Sequence, residues 1–303
     1  MKKPKLAMVG VSCLDHIWQV SHFPPNHSRT HAHAYQVQGG GPAATAAVTG
    51  ARLGADVRLL TVHGDDSNGQ LAKLELERSG VDLSYLRTYP NSQMVVSSIL
   101  VTPEGERYIF PYMGNNLLDT DKDLDFSILE GVDCLVTDSG YPIMNKAILK
   151  AAKTRNIPIV ADFGHRRNWH LATYADYLIV SEECATEVLG RNDPEAALDA
   201  LKQFETQYVG ITLGEEGYLF TQASRTRHIP AFPVEVVDTT GAGDVFHGAF
   251  AYAVARGFDL DYCGLFASVT ASLSCTALGG RAGIPDAATV EAILQEQNFR
   301  EAS

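Results

Sequence analysis

A glycine-rich segment in the C-terminal third of the sequence combines an anion-binding backbone with an acidic side chain. Gly241, Ala242 and Gly243 follow the run "VEVVD" (residues 234–238), which has strand character, and precede "DVFHGAFAYAVAR" (residues 244–256), a predicted helix. Small residues at a helix N-terminus present backbone N–H groups, and the helix dipole favours negative charge there. The segment therefore predicts a binding site for a phosphate or another oxyanion.

Asp244, in the first turn of the predicted helix, permits two interpretations. An acid at this position stabilises a helix by about 0.3–1 kcal/mol through the dipole, which is a structural role. Alternatively, the dipole keeps the carboxylate ionised, so that it can accept the proton of a substrate hydroxyl while the amides stabilise a transferring phosphoryl group. The residues alone leave both interpretations open. His247, one turn later, is expected to pack against a neighbouring strand.

Two well-known phosphate-binding motifs are excluded. The lysine-containing phosphate loop requires a Gly-Lys pair, and the sequence has none. Gly241, Gly243 and Gly248 also lack the G-x-G-x-x-G spacing of dinucleotide-binding folds, and no such motif follows the first predicted strand. These absences weigh against a nicotinamide dehydrogenase, which the pattern of strands and helices would otherwise allow.

The composition excludes further classes of protein. The 303 residues carry a formal net charge of −12, so no basic excess exists to neutralise nucleic-acid phosphates. No apolar run approaches the roughly 20 residues that span a bilayer, and the N-terminal apolar run is typical of a first strand. Five scattered cysteines without a C-x-x-C pair favour a reducing compartment. These features predict a cytoplasmic protein that binds neither nucleic acid nor membranes.

Strand-like and helix-like segments alternate along most of the chain. The runs "KLAMVGV", "DVRLLTVHG" and "YVGITLG" are typical of buried strands, and helical segments separate them. Such alternation predicts an α/β fold with a doubly wound, mostly parallel sheet that has helices on both faces. Ligands of such sheets bind beyond the carboxyl ends of the strands.

Two segments, residues 12–39 and 90–116, break this alternation. Both have β character, and the second predicts a hairpin that turns at residues 103–105. We expect the two segments to form a small β-sheet lid over the ends of the strands. The α/β core then comprises residues 1–11, 40–89 and 117–303.

Three glycine-rich motifs together carry a family resemblance. They are "DTTGAGDVFHGAF" at residues 238–250, "GGGPAATAAVTGARLGA" at residues 39–55 and "HGDDSNG" at residues 63–69. With these motifs in this order, the sequence resembles the ribokinase-like (PfkB) carbohydrate kinases over most of its length. With "GGRAGIP" at residues 279–285, it looks closest to the branch that contains sulfofructose kinase. The resemblance implies a ribokinase-like, Rossmann-like three-layer fold and a homodimer formed through the lid.

The resemblance implies roles in phosphoryl transfer. Asp244 would be the base that removes the proton of a sugar hydroxyl, with ATP and Mg²⁺ as the source of the phosphoryl group. The anion hole would consist of Gly241, Ala242 and Gly243. The site near the ATP phosphates would contain Thr212, Gly214 and Gly217, and a monovalent-cation site for K⁺ would contain Asp238 and Thr240.

The substrate end of the site is implied in the same way. Asp15 would accept hydrogen bonds from sugar hydroxyls, because a carboxylate can accept from two neighbouring hydroxyls. Gly40 and Gly41 would let the backbone approach the sugar. Further substrate-binding candidates are Thr45, Arg166 and Arg29, the last at a position where the sulfofructose kinase branch has a basic residue.

Several departures from the family pattern affect these roles. Thr45 stands where the family usually has asparagine, and Gly164 replaces the asparagine of a D-x-N-x-R element that ends at Arg166. The family's N-x-x-E element, associated with magnesium and phosphate, reads "SEEC" at residues 181–184 and lacks both defining residues. Gly140 lies near the position where the sulfofructose kinase branch would have an arginine.

The motifs together predict an ATP-dependent kinase that phosphorylates a primary hydroxyl of a small sugar of the keto or furanose type. A nucleoside kinase of the same fold would carry the same motifs. The altered segment at residues 181–184 also leaves open a non-catalytic, sugar-sensing protein on a kinase scaffold, since one fold can host several functions.

Overall fold

The computed structural model describes residues 2–24, 29–103, 107–163, 166–222 and 225–301. The strands are β1 (Lys5–Val9), β2 (Cys13–Val20), β3 (Ala32–Gly40), β4 (Asp56–Leu60), β5 (Val62–Gly64), β6 (Arg87–Tyr89), β7 (Val96–Val101), β8 (Arg107–Tyr112), β9 (Cys134–Thr137), β10 (Ile159–Ala161), β11 (Tyr177–Ser181), β12 (Tyr208–Thr212), β13 (Tyr218–Gln222) and β14 (Arg225–Ile229). The helices are α1 (Pro42–Arg52), α2 (Ser67–Arg78), α3 (Pro142–Thr154), α4 (Glu182–Leu189), α5 (Pro194–Leu201), α6 (Ala242–Ala255), α7 (Leu260–Ser274) and α8 (Ala287–Glu301), with 3₁₀ helices at Phe126–Leu129, Arg166–Tyr174, Lys202–Phe204 and Gly214–Glu216.

The central sheet has the strand order β14-β13-β12-β11-β10-β9-β1-β4. All neighbouring strands from β12 to β4 are parallel, and only β13 and β14 add an antiparallel edge. Parallel neighbours require crossover connections, and helices supply them here. The carboxyl ends of the parallel strands therefore meet at one edge of the sheet.

Alternate residues of β1 belong to two apolar cores on opposite faces of the sheet. Leu6 and Met8 pack in the core that contains α1, α6 and α7, whereas Ala7 and Val9 pack in the core that contains α3, α4 and α5. Successive side chains of a strand point to opposite faces, so helices cover both sides of the sheet. The predicted doubly wound α/β fold is confirmed.

A glycine allows α1 and α6 to cross closely. A side chain at Gly248 would lie 2.6 Å from the carbonyl oxygen of Ala46, because the two backbones nearly touch. The small side chains of α1 and α6, nearly all buried, make this approach possible. The contact holds the N-termini of the two helices, and with them two of the three glycine-rich motifs, at the same end of the molecule.

A second, four-stranded sheet has the order β3-β2-β7-β8. β2 pairs antiparallel with β3 and parallel with β7, and β7 pairs antiparallel with β8. The predicted hairpin is confirmed by the pairing of β7 with β8, although residues 104–106 of its turn lie outside the described residues. The sheet is built from the two segments that break the α/β alternation. The proposed boundaries of the lid stay a prediction.

The predicted strand at residues 234–238 does not form. This stretch has no regular secondary structure and bends at Val237, and the amides of Val237 and Asp238 both donate to the carbonyl oxygen of Cys275. The run leads from the antiparallel edge strand β14 to α6 and pairs with no described strand, and Val236 and Val237 are exposed. Strand-like composition is insufficient without a partner strand. No helix among the described residues is long and apolar enough to cross a membrane.

Candidate active site

The anion loop, defined here as residues 241–244, begins α6. Gly241 is the N-cap residue with φ 71°, a left-handed conformation that glycine adopts without strain. A side chain there would also lie 3.2 Å from the Cα atom of Gly280, so the position has little room. Gly243, in contrast, is exposed, and a side chain there would meet no atom within 4 Å. The loop is therefore anchored at its start and open at its centre.

Backbone amides of the anion loop differ in their hydrogen bonding. The amide of Ala242 donates to the carbonyl oxygen of Thr239 at 3.2 Å. Among the described residues, the amides of Gly243 and Asp244 have no such backbone acceptor. These two N–H groups are therefore best able to receive an oxyanion, together with the positive end of the helix dipole.

Asp244 lies partly buried in the first turn of α6. Burial is the main cause that raises the pKa of Asp244 from its ordinary value to about 7. The negative charge of Asp162 raises this pKa further and His247 lowers it, while Asp138 and Asp15 add smaller increases. The expectation that the dipole simply keeps the carboxylate ionised is therefore wrong, because loss of water around the charge outweighs it. A carboxylate with a pKa near neutrality suits proton abstraction.

His247 connects the anion loop to the central sheet. Its Nδ1 atom lies 2.7 Å from the carbonyl oxygen of Gly243, and its Nε2 atom lies 3.0 Å from that of Ile179 in β11. The side chain is buried, so the predicted packing against a neighbouring strand is confirmed. Its Nδ1 atom also lies 3.8 Å from a carboxylate oxygen of Asp162. His247 therefore fixes the position of Gly243.

Asp15, Gly40 and Gly41 lie together where the small sheet joins the core. Asp15 is 6% exposed, and burial raises the pKa of its carboxyl group. The thiol of Cys13 donates to one carboxylate oxygen at 3.2 Å, and a side chain at Gly40 would overlap the carboxylate. Gly41 has φ 89° and packs against the backbone of residues 11–13. Glycine at these positions thus allows the chain to pass directly beside the buried carboxylate.

Thr45 and Arg281 form a contact that the sequence analysis missed. Thr45 is buried in α1, and its hydroxyl accepts a hydrogen bond from Nε of Arg281 at 3.2 Å. Arg281 lies in a loop that is 236 residues from Thr45 in the sequence. Arg281 lies in the motif "GGRAGIP", but nothing local to that motif indicates its partners. The hydroxyl of Thr45 thus already has a hydrogen-bond partner within the protein.

Asp138 is a second buried group that the sequence analysis did not select. Its carboxylate accepts hydrogen bonds from the amides of Val11 at 2.6 Å, Gly140 at 2.7 Å and Ala43 at 3.2 Å. Burial raises its pKa to about 6. Asp138 directly follows β9, and its bonds tie the ends of β9 and β1 to the start of α1. A side chain at Gly140 would overlap Val11, so an arginine would not fit there without a shift.

The candidate nucleotide loop follows β12. Thr212 ends the strand, and its hydroxyl lies 3.5 Å from the carbonyl oxygen of Val180 in β11. Gly214 has φ 57° with open space around it, whereas a side chain at Gly217, with φ 97°, would overlap the carbonyl oxygen of Ile229. The open glycine leaves room for a ligand at the carboxyl end of β12.

Asp238 and Thr240 hold the chain just before the anion loop. One carboxylate oxygen of Asp238 accepts from the amide and the hydroxyl of Thr240, at 2.9 and 2.7 Å, and the other accepts from the amide of Gly279 at 2.8 Å. Asp238 is almost completely buried. Three of its acceptor sites are thus occupied by the protein, and a role in holding K⁺ stays a prediction.

Segment 181–184 does not supply a magnesium ligand at its last position. Ser181 caps α4 by accepting from the amide of Cys184 at 3.2 Å, and the buried Cys184 thiol donates to the carbonyl oxygen of Phe163 at 3.0 Å. Burial raises the pKa of this thiol to about 12, so it stays protonated at neutral pH. No group of three or more histidine, cysteine, aspartate or glutamate side chains within the described ranges is arranged to hold a metal ion.

For the two predicted substrate-binding arginines, the structure shows no contact to the other site residues among the residues it describes. Arg29 is exposed in the segment that leads into β3. Arg166 begins the 3₁₀ helix Arg166–Tyr174, and its side chain lies outside the described part of the chain. Their roles stay predictions. The structure brings together Asp15, Gly40 and Gly41 at one end, and the anion loop with Asp244 at the other.

This fold and site have clear counterparts among known proteins. The sequence matches the model of the "pfkB family carbohydrate kinase" over residues 3–287, and the chain belongs to that family. It is thus a phosphotransferase, a carbohydrate kinase. The predicted family is confirmed.

The relatives that the chain resembles include ribokinases, deoxyribokinases and a nucleoside kinase. The chain is 31% identical over 269 residues to ribokinase from Bacillus subtilis, which covers 86% of this chain and 89% of that protein. The crystal structure of ribokinase from Thermotoga maritima is 28% identical, with a TM-score of 0.82 over 96% of this chain and 99% of that one. Arabidopsis thaliana ribokinase complexed with ribose and ATP is 25% identical, with a TM-score of 0.85 over 97% and 99%.

Proposed function

We propose that this kinase transfers the γ-phosphate of ATP to a primary hydroxyl of a small sugar of the keto or furanose type. The observation that carries the proposal is the pairing of Asp244 with open amides at the N-terminus of α6, within electrostatic reach of Asp15. The charge of Asp15 makes a small contribution to the raised pKa of Asp244, which supports placing the two carboxylates in one site. One end can bind hydroxyls and the other can bind phosphate.

Each residue has a distinct task in the proposed mechanism. Asp15 accepts hydrogen bonds from sugar hydroxyls beside Gly40, which orients the acceptor. Asp244 removes the proton of the attacking hydroxyl, and the amides of Gly243 and Asp244 stabilise charge on the transferring phosphoryl oxygens. Mg²⁺ would arrive with ATP, whose phosphates supply the hard oxygen ligands that it prefers. The relative that is complexed with ribose and ATP supports this choice of ligands.

A panel assay tests the proposed function. The native protein is mixed with ATP, Mg²⁺ and D-ribose, D-fructose, 6-deoxy-6-sulfofructose or adenosine, and ADP release is measured. We expect release that depends on a sugar and is small without an acceptor. Adenosine as the best acceptor would favour the nucleoside kinase. Sugar-induced thermal stabilisation without ADP release from any acceptor would refute the kinase proposal and favour a sugar-sensing protein. Only release with the sulfosugar would place the chain in the sulfofructose kinase branch.

The pH dependence of turnover follows from the raised pKa of Asp244. A base acts only when it is deprotonated, and this carboxyl group has a pKa of about 7. We therefore expect kcat/KM for the sugar to be constant above this pH and to fall about tenfold per unit below it. Initial rates at subsaturating sugar, measured from about pH 5 to about pH 9, check this. An acid limb near the ordinary aspartate value of about 4 would contradict it.

The small sheet offers a surface for the proposed homodimer. Tyr108, Phe110 and Tyr112 of β8 are 54%, 59% and 45% exposed, and Tyr35 of β3 is 50% exposed. Aromatic side chains gathered on the two edge strands of one sheet are typical of a protein interface. We propose that two copies pair through this surface and that the sheet also shields the sugar from water.

A further inference from the structure

Arg281 places a buried guanidinium, which makes three polar contacts, beside the glycine turn, defined here as residues 39–41. Its side chain is 3% exposed. Nη2 donates to the carbonyl oxygen of Gly40 at 2.8 Å, Nε donates to the hydroxyl of Thr45 at 3.2 Å, and Nη1 lies 3.3 Å from a carboxylate oxygen of Glu75. The planar fork of arginine is suited to three such contacts, whereas a lysine ammonium is not.

Glu75 completes this arrangement from α2. One of its carboxylate oxygens pairs with Arg281, and the other accepts the amide of Gly39. The Arg281–Glu75 pair therefore holds the glycine turn by its backbone, through an amide on one side and a carbonyl on the other. Because the carboxylate of Asp15 lies directly against Gly40, the pair also fixes the backbone beside that carboxylate.

The loop that carries Arg281 reaches the anion loop as well. Gly280 packs against Gly241. A side chain at Gly241 would lie 3.2 Å from the Cα atom of Gly280. The amide of Gly279 donates to Asp238 at 2.8 Å, just before the anion loop. One short segment, residues 279–281, thus contacts both ends of the proposed site.

We propose that Arg281 is a positioning residue that sets the geometry of the glycine turn relative to the anion loop and thereby determines sugar affinity. The inference rests on the proposed function, since it assumes that sugar binds beside Asp15 and Gly40. It also assigns Thr45 a different task from the sugar contact that the family resemblance implies. The hydroxyl of Thr45 orients the guanidinium, and the sugar meets the backbone that this guanidinium holds.

Arg52 provides a matched control for Arg281. It is an arginine of α1 that anchors the same loop, since its Nη1 donates to the carbonyl oxygens of Arg281 at 2.6 Å, Ile284 at 3.2 Å and Ala282 at 3.3 Å. No hydrogen bond of Arg52 within the described ranges reaches the glycine turn or Thr45. Loss of Arg52 therefore loosens the loop without removing the contacts to Gly40 and Thr45.

Calorimetric titration tests the inference without requiring turnover. D-ribose and D-fructose are titrated into the native protein and into Arg281→Gln, Arg281→Lys and Arg52→Gln, with a non-hydrolysable ATP analogue as the second ligand. For the sugar that the native protein binds more tightly, we expect Kd to rise at least about tenfold in Arg281→Gln. Arg281→Lys should show a smaller rise in sugar Kd. In both Arg281 variants, the Kd of the ATP analogue should change less than about twofold. Arg52→Gln should lower the melting temperature but keep sugar Kd within about twofold.

Each alternative outcome is informative. An unchanged sugar Kd in Arg281→Gln, or in Arg281→Lys if the first variant does not fold, would overturn the inference alone. An equal loss of sugar affinity in Arg52→Gln would also overturn it, because the effect would then come from general loosening of the loop. Sugar binding without ADP release in the native protein would refute only the proposed catalytic function. Absence of binding of both sugars to the native protein would refute the proposed sugar site and this inference together.

Discussion

Asp244→Asn is expected to lower kcat for sugar phosphorylation at least about 10²-fold, while sugar and ATP bind with near-native affinity. Asparagine has almost the same shape but cannot accept the hydroxyl proton. The fold should tolerate the change, because burial and the charge of Asp162 already disfavour the ionised form of Asp244. Steady-state rates of ADP release, with Kd values from calorimetry, measure the effect.

Asp261→Asn is the matched control for this variant. Asp261 is the first-turn acid of α7, as Asp244 is of α6, so both substitutions remove a carboxylate that favours a helix dipole. If Asp244 has only that structural role, both variants should keep near-native kcat. We expect the loss of turnover in Asp244→Asn alone. Near-normal turnover in Asp244→Asn would refute the assignment of the base.

Asp15→Asn is expected to raise KM for the sugar roughly 10- to 100-fold, with a smaller effect on KM for ATP. Hydrogen bonds from hydroxyls to a carboxylate are stronger than those to a neutral amide, and Asp15 is placed to make such bonds in a buried setting. Asparagine keeps one acceptor oxygen and fits the same space beside Gly40. Initial rates over a range of sugar concentrations at saturating ATP determine KM.

Cys13→Ala distinguishes the effect of the Asp15 carboxylate from that of the neighbouring Cys13 thiol. The thiol of Cys13 donates to Asp15, but a thiol is a weak donor, so its removal should change KM for the sugar less than about threefold. A KM in Asp15→Asn that equals the native value would contradict the placement of the sugar. A loss of kcat without a change in KM would likewise assign Asp15 a different task.

The parts of the molecule that depend on local pattern could be predicted from the sequence. Alternation of strands and helices requires only the short-range periodicity of apolar residues, and the structure has the doubly wound sheet that this periodicity predicts. The anion loop could also be predicted from the sequence, because a glycine N-cap in the left-handed conformation followed by a helix is encoded within a few residues. Local sequence therefore predicted the fold and the glycine loop at the start of α6, and the phosphate-binding role of that loop stays a prediction.

The parts that depend on distant neighbours could not be predicted in this way. Residues 234–238 have strand composition, but strand formation requires a partner that this stretch lacks. Arg281 reaches Gly40 across 241 positions of the chain, and Asp138 meets Val11 across 127. The pKa of Asp244 depends on burial and on charges from other loops. Each of these properties arises only when the strand ends meet.

The most direct measurement of the central claim is a single-turnover transfer experiment. Native protein and Asp244→Asn, each in excess over γ-³²P-labelled ATP and saturated with the best sugar of the panel, are quenched at successive times. The account predicts that label passes from ATP to sugar phosphate in the native protein, with ADP formed in equal amount, and that this step is slower by at least about 10²-fold in Asp244→Asn. Equal transfer rates in the two proteins would contradict it.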